Sequence, residues 1–182
     1  MSPSLHLRAF QVALLAAGLG ICPLARASGP APLTLTELTR KAGFIFAGRV
    51  LQVQRPAALP GRVPLVQVTF RVERALRGTR SGQTFALNQW AGAWDGGSQY
   101  RPGQRLLLFL YPRGPTGLTS VVGGRLGQFD LDVKGNIVLR ADQEPILLGS
   151  AGPKESPGRA TAAGQKLRYR DFARRIRGAA LP

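Results

Sequence analysis

The chain has 182 residues, enough for one domain, and its 25 basic against 9 acidic residues give a formal net charge of +16. It has one cysteine and one histidine, and both (Cys22 and His6) lie before residue 28. Without the first 27 residues the chain has neither a thiol nor an imidazole. This excludes cysteine nucleophiles, histidine bases, disulfides and ordinary zinc sites.

Residues 1–27 are predicted to be a signal peptide. Arg8 provides a positive start, and residues 9–24 are mostly apolar. The sequence Ala-Arg-Ala at 25–27 then provides small residues at the two positions that a signal peptidase recognises, so we expect cleavage between Ala27 and Ser28. The apolar run is too short for a permanent anchor, and no other stretch approaches the roughly 20 apolar residues of a membrane span. We expect an exported protein, periplasmic or extracellular.

The charge of the mature chain has two interpretations. Loss of the signal peptide leaves 23 basic and 9 acidic residues, a net charge near +14. Such a charge is typical of proteins with an anionic partner. However, arginine greatly outnumbers lysine and the basic residues are spread along the chain, which favours a compositional origin. The anionic partner is kept as the alternative.

From residue 34 onward the pattern predicts one short helix followed by short strands. The helix covers residues 34–42, and the predicted strands cover residues 44–54, 65–78, 84–90, 105–111, 118–122, 126–133 and 137–140. In the second strand Val66, Val68, Phe70 and Val72 alternate with polar residues, which indicates one buried face and one wet face. Gly48 inside the first strand predicts a bulge or a close backbone approach.

Two further strands contribute specific expectations. The unbroken apolar run at 105–111 predicts the most buried strand. In the strand at 126–133, Phe129, Leu131 and Val133 are expected to point inward, and Asp130 and Asp132 to lie on a solvated face. Seven short strands with glycine and proline turns indicate a mainly β protein, an antiparallel barrel or sandwich.

The end of the chain is predicted to form a linker and a helix. Residues 149–165 are rich in Gly, Ala, Ser and Pro and read as a flexible linker. Residues 166–182 read as a basic amphipathic helix, with Tyr169, Phe172, Ala173 and Ile176 at helical spacing. Five arginines surround this apolar stripe: Arg168, Arg170, Arg174, Arg175 and Arg177. The helix either packs on the barrel, which we favour, or makes a peripheral contact with an anionic membrane surface.

Three motifs resemble the netrin-like domain family, the OB-type barrels of the tissue inhibitors of metalloproteinases and their bacterial relatives. They are Phe46-Ala47-Gly48-Arg49-Val50, the strand from Val68 to Gly78, and the stretch from Tyr100 to Leu110. The resemblance implies a small antiparallel OB-like β-barrel over residues 28–148. The animal inhibitors chelate the protease zinc through an N-terminal cysteine. Because the predicted mature chain begins at Ser28, we expect no zinc chelation of this kind. Inhibition of a protease through another surface is kept as a possibility.

Residues 88–100 form the most informative loop. Trp90, Trp94, Asp95 and Tyr100 lie among small and amide residues, a combination that suits stacking on sugars or bases or docking into a protein. In the alternative interpretation, which we favour, the two tryptophans fold back and cap the end of the barrel.

These patterns together predict an exported, non-enzymatic binding module. Its partner is expected to be a protein or an extracellular polymer, and the resemblance suggests a protease inhibitor or an envelope accessory protein. The alternative is an OB-type protein that binds nucleic acid or another anionic polymer, although export counts against nucleic acid. No catalytic residue, metal site or cofactor is predicted.

Overall fold

The structure is a computed structural model that describes residues 33–56, 63–94, 99–148 and 164–179, with the side chains of residues 93 and 94 excepted. The described part contains the helices α1 (Leu35–Lys41), α2 (Glu144–Leu148) and α3 (Tyr169–Ala179). It also contains the strands β1 (Phe44–Gln54), β2 (Leu65–Arg77), β3 (Thr84–Trp90), β4 (Arg105–Leu110), β5 (Gln128–Leu131), β6 (Ile137–Val138) and β7 (Lys166–Leu167). The predicted signal peptide and its cleavage site, and residues 149–163 of the predicted linker, lie outside it.

The seven strands form one antiparallel sheet in the order β3-β2-β1-β4-β5-β6-β7. The expectation of a mainly β, antiparallel protein is confirmed. The expectation of a closed OB-like barrel is wrong, because β3 and β7 lie at opposite edges and do not pair with each other. The reason is that β5, β6 and β7 add successively beyond β4, so the sheet continues outward instead of returning to β3.

The alternating residues of β2 define what we call the inner face of the sheet. Val66, Val68 and Phe70 are fully buried on it and Val72 nearly so, as the sequence predicts. They belong to a hydrophobic cluster with apolar residues of β1, β3 and β4. The opposite side of the sheet is called the outer face here.

The sheet curls around its inner face. The β1–β2 register shifts between Ala47 and Gly48 and again after Val50, and such bulges bend and twist a strand. As a result the ring of Phe46 on β1 lies 5.0 Å from the ring of Phe85 on β3, although β2 runs between them. A Cβ on Gly48 would stand 2.7 Å from the carbonyl oxygen of Arg71, which confirms the predicted close approach.

The segment after β4 lies across the curl. Residues 118–122, predicted as a strand, make only an isolated bridge between Val121 and Leu110. The backbone N–H of Thr119 donates to the carbonyl of Asn88 on β3, 3.1 Å away. This segment partly covers the edge of β3, and such cover protects an edge strand from pairing with other chains.

Half of the outer face is covered by helices. Leu107 and Phe109 of β4 pack there in a second cluster with Leu38 of α1 and Phe172 and Ile176 of α3. Because β4 also faces the inner cluster, its residues from Leu106 to Leu110 are all buried. The prediction that this is the most buried strand is confirmed. The outer face of β2 and β3 is more open.

The helix α1 forms where the sequence predicts it. Thr34 and Glu37 form a capping box at its start, an arrangement that stabilises a helix by about 1 kcal/mol. At its end the guanidinium of Arg77 donates to the carbonyls of Thr39 and Ala42. The end of β2 therefore fixes the position of α1.

The predicted strand at 126–133 is shorter than expected. Residues Gly124–Gly127 form a 3-10 helix and β5 follows it. Phe129 is buried as predicted, but Val133, predicted to point inward, is 92% exposed. The alternation ends because Asp132 begins a turn in which its carbonyl accepts from the N–H of Gly135 at 2.9 Å.

The C-terminal helix starts three residues later than predicted. Residues 166 and 167 form β7, which pairs with β6, and α3 begins at Tyr169. Gln165, assigned to the linker, accepts a backbone hydrogen bond from Leu139 at 3.0 Å. Since Phe172 and Ile176 are buried, the structure shows the packed arrangement of this helix.

Candidate functional site

The residues of the predicted aromatic loop differ in their exposure to solvent. Trp90 is 54% exposed and lies on the outer face opposite Leu65. Its indole ring lies over Gly92 and leaves no room for a Cβ there. Trp94 ends a short 3-10 helix, but its side chain and Asp95 lie outside the described part. Trp90 is therefore the member of this group that the structure places at the surface.

Tyr100, the last residue of that group, lies in the core. It is 1% exposed and packs edge-on against Phe70, with ring centroids 5.7 Å apart. Burial raises the pKa of its hydroxyl, while a hydrogen bond with Gln89 acts in the opposite direction. Tyr100 therefore supports the end of the sheet from inside and does not form part of the surface.

The five predicted arginines of the tail are all exposed, but they do not form one patch. Arg168, Arg170 and Arg174 line a cavity of about 600 Å³. Arg175 lines a separate groove beside α1 and α2, and Arg177 lines neither. The structure thus brings three of the five together.

We call the first of these the basic cavity. It lies between α3, the end of β2 and the turn from β5 to β6. Its lining contains five basic residues and one acidic residue: Arg74, Lys134, Gly135, Asn136, Arg168, Tyr169, Arg170, Asp171 and Arg174. The two basic residues that the sequence does not single out, Arg74 and Lys134, face the arginines of the tail across the cavity.

A bulge in β2 places Arg74 at the cavity. Val72 pairs with Gly48 and Arg74 with Ala47, so Glu73 is an extra residue between them. Bulges re-aim the side chains that follow them. The guanidinium of Arg74 lies 4.4 Å from the ring centroid of Tyr169, a cation–π contact of about 0.5–1 kcal/mol at a partly exposed site.

Tyr169, the first residue of α3, has an unsatisfied hydroxyl. The oxygen is buried and has no hydrogen-bond partner among the described residues. Burial raises the pKa of this hydroxyl, and the charges of Arg74 and Arg177 lower it in part. The phenol is protonated at neutral pH and retains a hydrogen-bond donor.

The turn from β5 to β6 is held by Asp132. Its carboxylate accepts the N–H groups of Lys134 and Asn136, each at 2.9 Å, and the side-chain amide of Asn136 at 3.2 Å. The two bonds from Asn136, above all the backbone bond, lower the pKa of Asp132 to about 2, and the ammonium of Lys166 at 3.3 Å acts in the same direction. The expectation that Asp132 lies on a solvated strand face is wrong, because it is bound within the turn.

Most of the charge around the basic cavity is uncompensated. Asp171 lies 3.7 Å from Arg174. Among the described residues, no carboxylate lies within ion-pair distance of the four other cationic side chains, those of Arg74, Lys134, Arg168 and Arg170. Like charges held this close repel one another, and an anion between them relieves that repulsion.

The carboxylate closest in sequence to Arg74 is already engaged. Glu73 accepts from Nε of Arg105 at 3.0 and 3.2 Å, and Nε of Arg49 lies 3.6 Å away. Arg105 also donates to the carbonyls of Asp132 and Val133. This cluster anchors the turn beside the cavity and does not reduce the charge of the cavity itself.

No family model, no curated protein and no solved structure matches this chain. The function is therefore argued from the geometry of the site. In the part of the chain that the structure describes, no helix has the length and apolar character needed to cross a membrane. The same part holds no group of three or more His, Cys, Asp or Glu side chains suited to a metal ion.

The sequence reveals only part of this site. The arginines of α3 are visible as a cluster, but Arg74 and Lys134 come from segments far away in the chain. The single extra residue Glu73 decides which way Arg74 points, and it has no signature in the hydrophobic pattern. Gly135 between Lys134 and Asn136 predicts a turn, but not what the turn faces.

Proposed function

We propose that the protein is an exported, non-enzymatic module that binds an anionic extracellular polymer in the basic cavity. The observation that supports this most directly is the convergence of five cationic side chains from three chain segments on one cavity that contains a single carboxylate. Of the functions considered from the sequence, this corresponds to the anionic-polymer alternative. Export rests on the predicted signal peptide at residues 1–27.

The chemistry of the cavity suits oxyanions. Guanidinium groups present several N–H donors in a planar fork that matches carboxylate, sulfate and phosphate. The ring of Tyr169, with the guanidinium of Arg74 4.4 Å from its centroid, forms part of the cavity wall. A volume of about 600 Å³ falls in the range of small-ligand sites, enough for one charged unit of a polymer with its neighbours outside.

Several features favour holding an anion over transforming it. The carboxylate of Asp171, the one acidic group in the lining, forms an ion pair with Arg174 at 3.7 Å. A general acid or base requires a pKa tuned near the working pH. The other side chains lining the cavity are those of four arginines, a lysine, an asparagine and a tyrosine with a raised pKa.

The test is calorimetric titration of the purified protein with polygalacturonate, a probe that carries one carboxylate on each sugar. The double variant Arg170→Ala/Arg174→Ala removes two cations that line the cavity, and we expect a loss of at least about tenfold in affinity. The matched control is Arg80→Ala/Arg101→Ala, which removes the same net charge from exposed positions elsewhere. We expect it to change the affinity less than about twofold at physiological salt, where distant exposed charges are screened.

The outcomes separate a site from a general charge effect. An equal loss in both double variants would mean that the net charge attracts the polymer and that the cavity has no special role. An unchanged affinity in the cavity variant, or no binding by the unaltered protein, would overturn the proposed function. Capture by single-stranded DNA in preference to polygalacturonate would favour nucleic acid as the partner.

A further inference from the structure

The outer face of the sheet has an open half that begins beside the basic cavity. Helices cover the other half, over β4 and the start of β1. Among the described residues, the side chains of β1, β2 and β3 that point outward in the open half are exposed or partly exposed. This open half carries an ordered arrangement of side chains.

Strand register arranges these side chains in rows across the sheet. Nearest the cavity, Arg49 pairs with Arg71 and Arg71 with Thr84. Next come Gln52, Thr69 and Ala86, and then three amides, Gln54, Gln67 and Asn88. The last row contains Leu65 opposite Trp90. Along β2 the face therefore changes from cationic to hydroxyl and amide, and then to aromatic.

The amide row has free hydrogen-bonding capacity. The amide nitrogen of Gln67 donates to the amide oxygen of Asn88 at 3.1 Å, which leaves the nitrogen of Asn88 and the oxygen of Gln67 available. Gln54 is exposed and has no partner among the described residues. Side-by-side amides offer donors and acceptors together, a pattern that matches adjacent hydroxyl groups of a sugar.

The chemistry along this face argues for a sugar polymer over nucleic acid. Sugars present adjacent hydroxyl groups that side-by-side amides can bind, whereas proteins that bind single-stranded nucleic acid use a groove of cations and stacked aromatic side chains. Here the cations are concentrated at one end, in the cavity and at Arg49 and Arg71, while the amide row is uncharged. Trp90 at the far end offers an exposed indole ring, and such rings provide an apolar surface for the face of a sugar.

We propose that this open half of the outer face is a binding track for an acidic polysaccharide. One charged sugar lies in the basic cavity, the following sugars contact the amide row, and a sugar ring stacks on Trp90. The inference rests on the proposed function, since the cavity holds the first unit. From Arg71 to Leu65 the track runs roughly 20 Å at the usual rise of a strand, so it accommodates several sugars.

The experiment compares galacturonate monomer with oligogalacturonates of increasing length, titrated into the purified full chain. We expect affinity to rise with length until the track is filled. The variants Trp90→Ala and Gln67→Ala/Asn88→Ala should each weaken binding of the longest oligomer by about tenfold and leave monomer binding unchanged. Tyr111→Ala removes another exposed aromatic side chain as the matched control and should have no effect. Thermal unfolding of each variant verifies that it is folded.

The two proposals fail in different ways. If the cavity variant Arg170→Ala/Arg174→Ala loses both monomer and oligomer binding while the track variants bind every length normally, the track is refuted and the cavity stands. If monomer and longest oligomer bind equally well to the unaltered protein, the track is also refuted. If the cavity variant binds both as the unaltered protein does, the proposed function fails. A polythymidine oligomer that binds more tightly than oligogalacturonate and depends on Trp90 would assign the track to nucleic acid.

Discussion

Replacement of Phe172 by alanine tests whether the docking of α3 creates the basic cavity. Phe172 lies on the buried stripe of α3 and is 1% exposed. Its ring packs against Phe129 of β5, with centroids 5.1 Å apart and planes at 60°. The same helix presents Arg170 and Arg174 to the cavity. Loss of this contact should therefore affect stability and binding together.

The expected magnitude follows from the burial and the ring contact. Truncation of a buried phenylalanine to alanine costs about 3–5 kcal/mol, and an edge-to-face pair contributes about 0.5–1.5 kcal/mol beyond its buried area. Because Phe172 has both features, we expect a loss of about 4 kcal/mol. This is a large part of the roughly 5–15 kcal/mol that stabilises a typical domain. The variant should fold, with α3 loosely attached.

Urea unfolding followed by circular dichroism gives the stability, and hydrogen exchange of the amides of α3 gives the local docking energy. Phe172→Leu, which keeps an apolar side chain, should cost only about 1 kcal/mol. Arg177→Ala is the control on the exposed side of the same helix. In Phe172→Ala we expect faster exchange throughout α3 and weaker binding of polygalacturonate. A loss below about 1 kcal/mol, with normal exchange and binding, would refute the claim that this side chain positions the cavity.

Three further predictions follow from single contacts. Asp132→Asn should reduce the loss of stability that occurs between about pH 4 and pH 2, because the carboxylate has a folded pKa of about 2 and stabilises the fold only above this range. The unfolding midpoint measured as a function of pH tests this prediction. The same dependence on pH in the variant and the unaltered chain would contradict it. Gly48→Ala should cost about 1–3 kcal/mol in urea unfolding, since its Cβ would meet the carbonyl of Arg71 at 2.7 Å. Gln143→Ala should cost about 1–3 kcal/mol in the same assay, because this fully buried amide donates to the carbonyl of Gln128 at 2.7 Å. A variant of either residue as stable as the unaltered chain would show that its neighbours adjust.

Local patterns in the sequence predict the individual elements better than they predict the topology. The alternation in β2 and the apolar run of β4 determine which residues are buried, and both predictions hold. The prediction of a closed barrel is wrong, because closure depends on which strand pairs with the free edge of β3. The two-residue strands β6 and β7 extend the sheet beyond β5. A strand is predicted at 137–140, where β6 lies, but β7 is too short to show a periodicity and falls in the segment predicted as a helix. Pairing between segments distant in the chain therefore determines whether the sheet closes, and the sequence pattern does not show this pairing.

The candidate site likewise contains some residues that the sequence identifies and others that only the structure places there. The arginines of α3 and the exposed Trp90 are found by composition and position alone. By contrast, Arg74 reaches the cavity through a bulge, and Tyr100 lies in the core with its ring against that of Phe70. Neither outcome follows from residue type, since tyrosine and arginine are both common at surfaces.

The strand β2 connects folding and binding in this protein. Its inward residues fix the register, because a shift of one residue would exchange its buried and exposed sets. Once that register is fixed, the positions of Gln67 and Arg71 on the outer face follow without further choice. The extra residue Glu73 shifts the alternation of inward and outward side chains along β2 by one position. As a result Glu73 contacts Arg105 and Arg74 contacts Tyr169. The core therefore determines which side chains form the proposed track, and the bulge determines where that track meets the basic cavity.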